Sequence, residues 1–515
     1  MEVELKLQVD AQYRDAILHH PLLHPANASP PREQKQVDTY FDTPEMRLHR
    51  KRIGLRVRRV KNRWVQNVKG ANGVNGGHAG ALHSRGEWEW PVAGPTPEFG
   101  RAQDIIDDKQ VRRGLRAGRA LEKRLVPVFA TRVRRTVWDL PLADGGQVEC
   151  ALDQGAIECG DKEVAVSELE LELTAGDVGQ LFDLALGLQQ DIPIQLGSRS
   201  KAERGYALLA ATPEQAVKAQ APLLDKRMTA EQAFVAIAAN CLSHMQDNAQ
   251  RVAQAHDVEA LHQMRVGMRR LRSALAMYKK LLQLPEDLQG ELDWLAGELG
   301  DTRDWDVLSG ATLPAVERMA LDGAQLAGLR QAAVDEAHAR HLKTAESVSS
   351  PRYTHLMLTM SRWLLTAGWR AGQQPPAADD KLLRPVLGFA RQVIDSDQRR
   401  LRRRAGKLRG GTPAARHRLR IAAKKSRYAA EFFGSLFPAK TVRRYVKGLS
   451  ALQDELGLLN DYAVAERLLS SLSEAHPDMH EDVGFVRGVL AAERNGEDKK
   501  VMRLWKEFAP LSPPQ

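Results

Sequence analysis

The 515-residue sequence predicts an α+β chain, in which an N-terminal antiparallel β-barrel forms a tunnel and an all-α domain of two duplicated helical bundles follows. Three observations predict it. The first part alternates apolar and charged residues with period 2, the pattern of strands with unlike faces. After an Ala-, Pro- and Gln-rich linker the period becomes helical, and a basic helical segment then recurs 155 residues further on.

The strands are read from six segments: Glu2 to Lys6, Leu55 to Arg58, Arg85 to Trp90, Arg132 to Arg134, Val148 to Asp153 and Glu168 to Leu173. Each sets ionisable groups on one face and mostly apolar groups on the other. Gly70 to Gly80, Pro91 to Pro97, Asp144-Gly145-Gly146 and Gly160-Asp161 supply the turns. Helical interludes are expected near Asp10 to His20, Arg101 to Leu125 and Asp177 to Gln189. Like charges two residues apart, as in Glu168, Glu170 and Glu172, repel unless cations intervene. A sheet closed with these faces inward therefore needs an ionic ligand.

Residues 211–226 read as the linker, which places a strand-rich domain at 1–210 and a helical domain at 227–510, with repeats at about 227–370 and 380–510. His262, Arg265, Arg269, Arg270 and Arg272 recur as His417, Arg420, Lys424, Lys425 and Arg427. At 100° per residue, His262, Arg265, Arg269 and Arg272 lie within about 80° of arc, so each copy carries a cationic stripe.

The net charge is +10, yet Arg391 to Arg427 alone holds 14 Lys or Arg against 2 Asp. The basic excess is therefore local, and the charge suits nucleic acid, an anionic membrane or a highly phosphorylated small partner. Only 5% of residues are aromatic, which argues against base stacking. Cys150, Cys159 and Cys241 form no CxxC pair and fit a reducing compartment, so a cytoplasmic location is expected. No apolar run reaches the roughly 20 residues of a membrane span, and no P-loop or zinc spacing is present.

Glu2-Val3-Glu4-Leu5-Lys6 resembles the ExExK signature of the CYTH phosphohydrolases, the triphosphate tunnel enzymes. Further matches follow in order: Thr39 to Thr43, Leu55 to Arg58, Lys69, Arg85 with Glu87, Arg132 with Arg134, Leu152 to Gly155, Glu168 to Leu173, and Ser200-Lys201 with Arg204-Gly205-Tyr206. Asn67, where the family often has Thr, and the long glycine-rich stretch depart from the pattern. The helical half resembles CHAD domains, which implies binding of inorganic polyphosphate through the two stripes and an association with polyphosphate granules.

The resemblance implies hydrolysis of inorganic triphosphate to phosphate and pyrophosphate with Mg²⁺ or Mn²⁺. Linear triphosphate needs cations on more than one side, and Lys6, Arg56, Arg58, Lys69, Arg85, Arg132, Arg134, Lys201 and Arg204 are the candidates. Carboxylates would repel it unless a divalent metal intervenes; Glu2, Glu4, Glu168, Glu170, Glu172 and Asp153 are the candidate ligands, with Glu87 secondary. Glu2, Glu4, Glu170 and Lys6 are the expected catalytic groups. Thiamine or nucleoside triphosphates and adenylate cyclisation are the alternatives within the family. A polyphosphate-binding protein with little catalysis is the alternative outside it; the run Arg399 to Arg409 also raises nucleic acid, but without a recognised motif or interleaved aromatics nucleic acid is not the expected partner, nor is a membrane.

Overall fold

A computed structural model describes residues 3–514 apart from 27, 61–62, 71–81, 84–85, 116–117, 143–144, 211–214, 320–325, 372–379, 409–411 and 494–496. The chain divides into two compact units, one of residues 1–215 with 349–368 and one of 216–348 with 369–515. Among the described residues no helix is long and apolar enough to cross a membrane.

Among the described residues the first unit is built on ten strands: β1 Val3–Val9, β2 Arg32–Asp42, β3 Gly54–Val60, β4 Arg63–Lys69, β5 Leu82–His83, β6 Glu87–Val92, β7 Val126–Pro141, β8 Gln147–Cys159, β9 Lys162–Ala175 and β10 Ile194–Leu196. All pairings are antiparallel, and the order is β10-β1-β9-β8-β7-β2-β3-β4-β6 with β5 also against β1. Among the described residues this is an open path, so the expected closed barrel is not reproduced by strand pairing.

Register explains the two faces. Leu5 pairs with Leu171 and Leu7 with Leu169, while Cys150 and Leu152 of β8 stand opposite the same two β9 residues. With Trp138 and Leu140 of β7 they make one apolar face, buried under the helix Val178–Asp191 through Leu181, Phe182, Ala185 and Leu188. The Asp177 carboxylate starts that helix by accepting from the Gly179 N–H.

A second helix, Pro351–Leu365, comes from far along the chain and packs on Val178–Asp191. Its Leu358 is fully buried in the sheet's core, and its Arg362 grips Asp183 through two bonds of 2.7 and 3.0 Å. Gln189 and Gln195 donate to the carbonyls of Pro351 and Ser349. Burying one leucine contributes roughly 1.5–3 kcal/mol, so a helix that reads as part of the helical half completes the core of the sheet unit.

In the second unit, Ala230–Ala255, Val258–Tyr278 and Glu286–Val307 pack consecutively, as do Val386–Gly406, Pro413–Phe432 and Ala439–Ala475. The second helix of each set begins at equivalent positions, capped by Asp257 and by Thr412. The cores are not divided copy by copy. Trp305, Leu308 and Leu329 share one cluster with Leu468, Leu469 and Val486.

Candidate functional site: a charged sheet face under a lysine-bearing helix

The polar face of the sheet carries the alternate residues. Glu4 pairs with Glu172, Lys6 with Glu170, and Asp153 with both Glu168 and Arg135, so these side chains share one face across β1, β9, β8 and β7. Arg56 and Arg58 of β3, Asn67 and Lys69 of β4, Glu87 of β6 and Asp38 of β2 continue it.

The helix Lys201–Leu209 caps one end of this face. Ser200 and Glu203 form a reciprocal capping box, and Tyr206 bonds Asp42 at 3.2 Å while stacking on His49. A Cβ at Gly205 would meet the Phe129 ring at 2.2 Å, so glycine lets helix and sheet approach. The first helical residue, Lys201, reaches Asp153 at 2.6 Å, Glu170 at 2.9 Å and also Glu168.

Around that ammonium the ions alternate in sign. Lys6 contacts Glu4 at 2.5 Å and Glu170 at 2.6 Å, Arg135 bonds Asp153 at 2.6 and 2.7 Å and Glu170 at 2.5 Å, and Arg204 bonds Glu168 at 3.2 Å. Burial works against charge on Glu170, but Lys201, Lys6 and Arg135 outweigh it and hold the carboxyl well below its usual range. Asp153 is lowered likewise, against burial, by Lys201 and Arg135. Burial would depress Lys6 and Lys201; their carboxylate partners reverse this and raise both.

A second cluster lies on β2, β3, β4 and β6. Arg56 and Arg58 bond Asp38 at 3.0 and 2.9 Å, and Asp38 is lowered despite its burial because of them. Glu87 meets Lys69 at 2.6 Å and Arg56 at 3.4 Å, with Asn67 donating to it.

Asp153, Glu168 and Glu170 offer carboxylate oxygens within 4.8 Å of one another. An all-oxygen donor set of this kind suits a hard divalent ion. Glu4 and Glu172 stand beside it on the same face.

Two expected residues are misplaced. Arg132 and Arg134 belong to the opposite face of β7: both are exposed, and Arg132 pairs with Glu158 at 2.8 Å. Arg135 takes the place expected of them, because successive strand residues point to opposite faces. Asp38 was likewise not anticipated. Glu2 and Arg85 lie outside the described residues.

In the second unit, cations of the two stripes converge. Arg265, Arg269, Arg420 and Lys424 lie close enough to influence one another, beside Asp304 and Asp461. Arg265 approaches Asp304 at 3.6 Å and Arg420 donates to Asn460 at 2.7 Å. Burial, then Arg420, Arg269 and Arg265, push Lys424 down to about 7; burial, then Arg303 and Arg269, push His262 down to about 4. Arg272 pairs with Asp293 and Arg427 with Glu431, while His417 is exposed and Lys425 half-buried. Arg270 is a correction to the expected set. It is buried, bonds Asn240 and the Gln220 carbonyl, and lies over the Phe432 ring, which makes it a packing residue.

An ion-lined antiparallel sheet joined to a helical unit with a cationic centre defines a two-domain protein that pairs a charged sheet with an all-helical domain. The chain carries a CYTH domain, matched over residues 1–206, and a CHAD domain, matched over residues 236–470. It is 31% identical over 217 residues to an inorganic triphosphatase of Haemophilus influenzae, a match that covers 40% of this chain and 54% of that relative. The match thus spans about half of the relative's length. The crystal structure of the CHAD domain from the plant Ricinus communis is 39% identical, with a TM-score of 0.53, and covers 58% of this chain and 99% of that one.

Proposed function

We propose that the first unit hydrolyses inorganic triphosphate to phosphate and pyrophosphate in a divalent-metal-dependent reaction. The observation that carries this reading is the convergence of Lys6, Arg56, Arg58, Lys69, Arg135, Lys201 and Arg204 on one face, each beside a carboxylate. The alternation holds the cations in place before substrate arrives, which lowers the reorganisation needed to receive several phosphate charges. The H. influenzae relative supports the choice of substrate.

Asp153, Glu168 and Glu170, with Glu4 and Glu172 beside them, would hold Mg²⁺ or Mn²⁺ once the Lys201 ammonium, which contacts the first three, turns from them to the substrate; the bound ion would neutralise phosphate charge and activate water. The guanidinium groups bind the phosphate oxygens bidentately, and Lys6 and Lys201 offset the charge that develops on the leaving group. Water adds to a terminal phosphorus, the bond to the bridging oxygen breaks, and pyrophosphate leaves with that electron pair. Glu170 and Asp153 are held ionised, so they orient cations rather than donate protons at neutral pH.

A closed tunnel fits this reading. β5 pairs with β1 near one end of the strand order, while β6, beginning at Glu87, forms the other end. The cysteines, all free, are compatible with the cytoplasm.

A second reading concerns the CHAD domain. The Nε groups of Arg269 and Arg420 are buried without a hydrogen-bond partner, and polyphosphate oxygens would satisfy them. We infer that the two stripes, as copies of one repeat, bind inorganic polyphosphate together, which would also bring the protein to polyphosphate granules.

Phosphate release from triphosphate, thiamine triphosphate, ATP and long polyphosphate, with and without Mg²⁺ or Mn²⁺, tests the activity. Fastest turnover of triphosphate, lost on chelation, is expected. Faster turnover of an organic triphosphate, or full activity without metal, overturns the assignment.

A further inference from the structure

The helices Ala230–Ala255 and Val386–Gly406 occupy the same place in their respective sets, yet they differ sharply in charge. The first carries Arg251 as its single Lys or Arg; the second carries Arg391, Arg399, Arg400, Arg402, Arg403 and Arg404. Whatever this basic face serves, it lies outside what the two copies share, so the duplicated stripe does not account for it.

Arg399, Arg402, Arg403 and the C-cap Lys407 are all exposed. At 100° per residue they fall within about 140° of arc, over a length of about 12 Å. Asp395, half-buried, is the one carboxylate of the helix on that arc. Among the described residues none of the four forms an ion pair, and of their side chains Arg402 alone makes a hydrogen bond, to the Ala509 carbonyl at 3.2 Å. By contrast Arg400 is tied to the buried Asp397 at 2.9 Å.

We propose that this exposed face of Val386–Gly406 is a docking surface for the phosphodiester backbone of duplex nucleic acid. Four unpaired cations along a rigid rod complement a rigid polyanion surface, whereas a flexible polyphosphate chain is better held where cations converge from several sides, as Arg265, Arg269, Arg420 and Lys424 do. The helix exposes no large apolar residue, which argues against insertion into a bilayer. It offers no exposed aromatic ring for single-strand stacking. Recognition of this kind reads backbone charge and is independent of base sequence.

The test uses the full chain and a labelled duplex of arbitrary sequence, titrated at a series of salt concentrations. Four phosphate contacts give a log–log salt slope of about −3.6, equivalent to a loss of about 150-fold in affinity between 50 and 200 mM salt. Combined Arg399→Gln, Arg402→Gln, Arg403→Gln and Lys407→Gln should abolish this component, while Arg399→Lys, Arg402→Lys and Arg403→Lys together, with Lys407 kept, should retain it. Arg265→Gln with Arg269→Gln should leave duplex binding within about 2-fold, because those groups lie on another helix. Polyphosphate titrated into both variants separates the sites: the stripe variant should lose polyphosphate and keep duplex, and the rod variant the reverse. Duplex affinity unchanged in the rod variant, or polyphosphate lost from it as well, overturns the proposal. Triphosphate turnover in the same preparations reports separately on the first unit.

Discussion

Neighbouring arginines on β7 give the sharpest test of the charged face. Arg134→Gln removes an exposed charge and should change stability by no more than about 0.5 kcal/mol, as surface substitutions do. Arg135→Gln is different. It strips a guanidinium from Asp153, which is fully buried, and from Glu170, which is 14% exposed. Removing one partner of a buried ionic pair costs about 3–5 kcal/mol. Lys201 remains at 2.6 Å from Asp153 and 2.9 Å from Glu170, so the lower end, about 3 kcal/mol, is expected. Urea unfolding, with hydrogen exchange of β7, β8 and β9 to localise the effect, measures both variants. Phosphate release should fall at least about tenfold in Arg135→Gln under conditions where it stays folded, and should be unaffected in Arg134→Gln. If Arg134→Gln proved the costlier change in either assay, the assignment of faces would be wrong.

Leu358→Ala should destabilise the sheet unit by about 2–5 kcal/mol, read as faster hydrogen exchange in Val178–Asp191, although the residue lies far from the strands in sequence. Because the folded-state values of Glu170 and Asp153 are lowered, their contribution to stability is complete at neutral pH. It is lost as pH falls below the ordinary carboxylate range, so Glu170→Gln should flatten the acid limb of the stability curve. Lys424, pushed down to about 7, is partly neutral above that pH, and a bound polyanion favours its charged form. Polyphosphate binding at pH 8 should therefore take up a proton, seen as a buffer-dependent calorimetric enthalpy that Lys424→Met removes.

The alternation in Glu2 to Lys6 and Glu168 to Leu173 placed Lys6, Glu168 and Glu170 on one face, and the register bears this out. The same rule failed on β7 for a physical reason. Arg132, Arg134 and Arg135 place cations on both parities, and only the pairing of Arg135 with Asp153 decides which face is inward. Asp38 sits opposite Arg58 across two strands remote in sequence terms from any metal-like pattern, so its role as an anchor for Arg56 and Arg58 needed tertiary structure. Arg270 lies 100° from Arg269 on the helix, off the stripe, so helix geometry alone sets it apart from the other cations. The helical period after the linker places residues 351–365 in the helical domain. It could not show that Leu358 enters the core beneath Val178–Asp191.

That last placement bears on how the protein is made. Synthesis delivers the ten strands by Leu196, but the helix that completes their core ends at Leu365. At about 5–20 residues per second, the roughly 150 residues in between take about 8–30 s to translate. For that interval the nascent sheet unit presents the apolar surface that Leu358 and its neighbours later cover. The period before Pro351–Leu365 emerges from the ribosome is thus a window in which chaperone binding or aggregation competes with completion of the core, and it exists only because the last piece of the first unit is encoded inside the second.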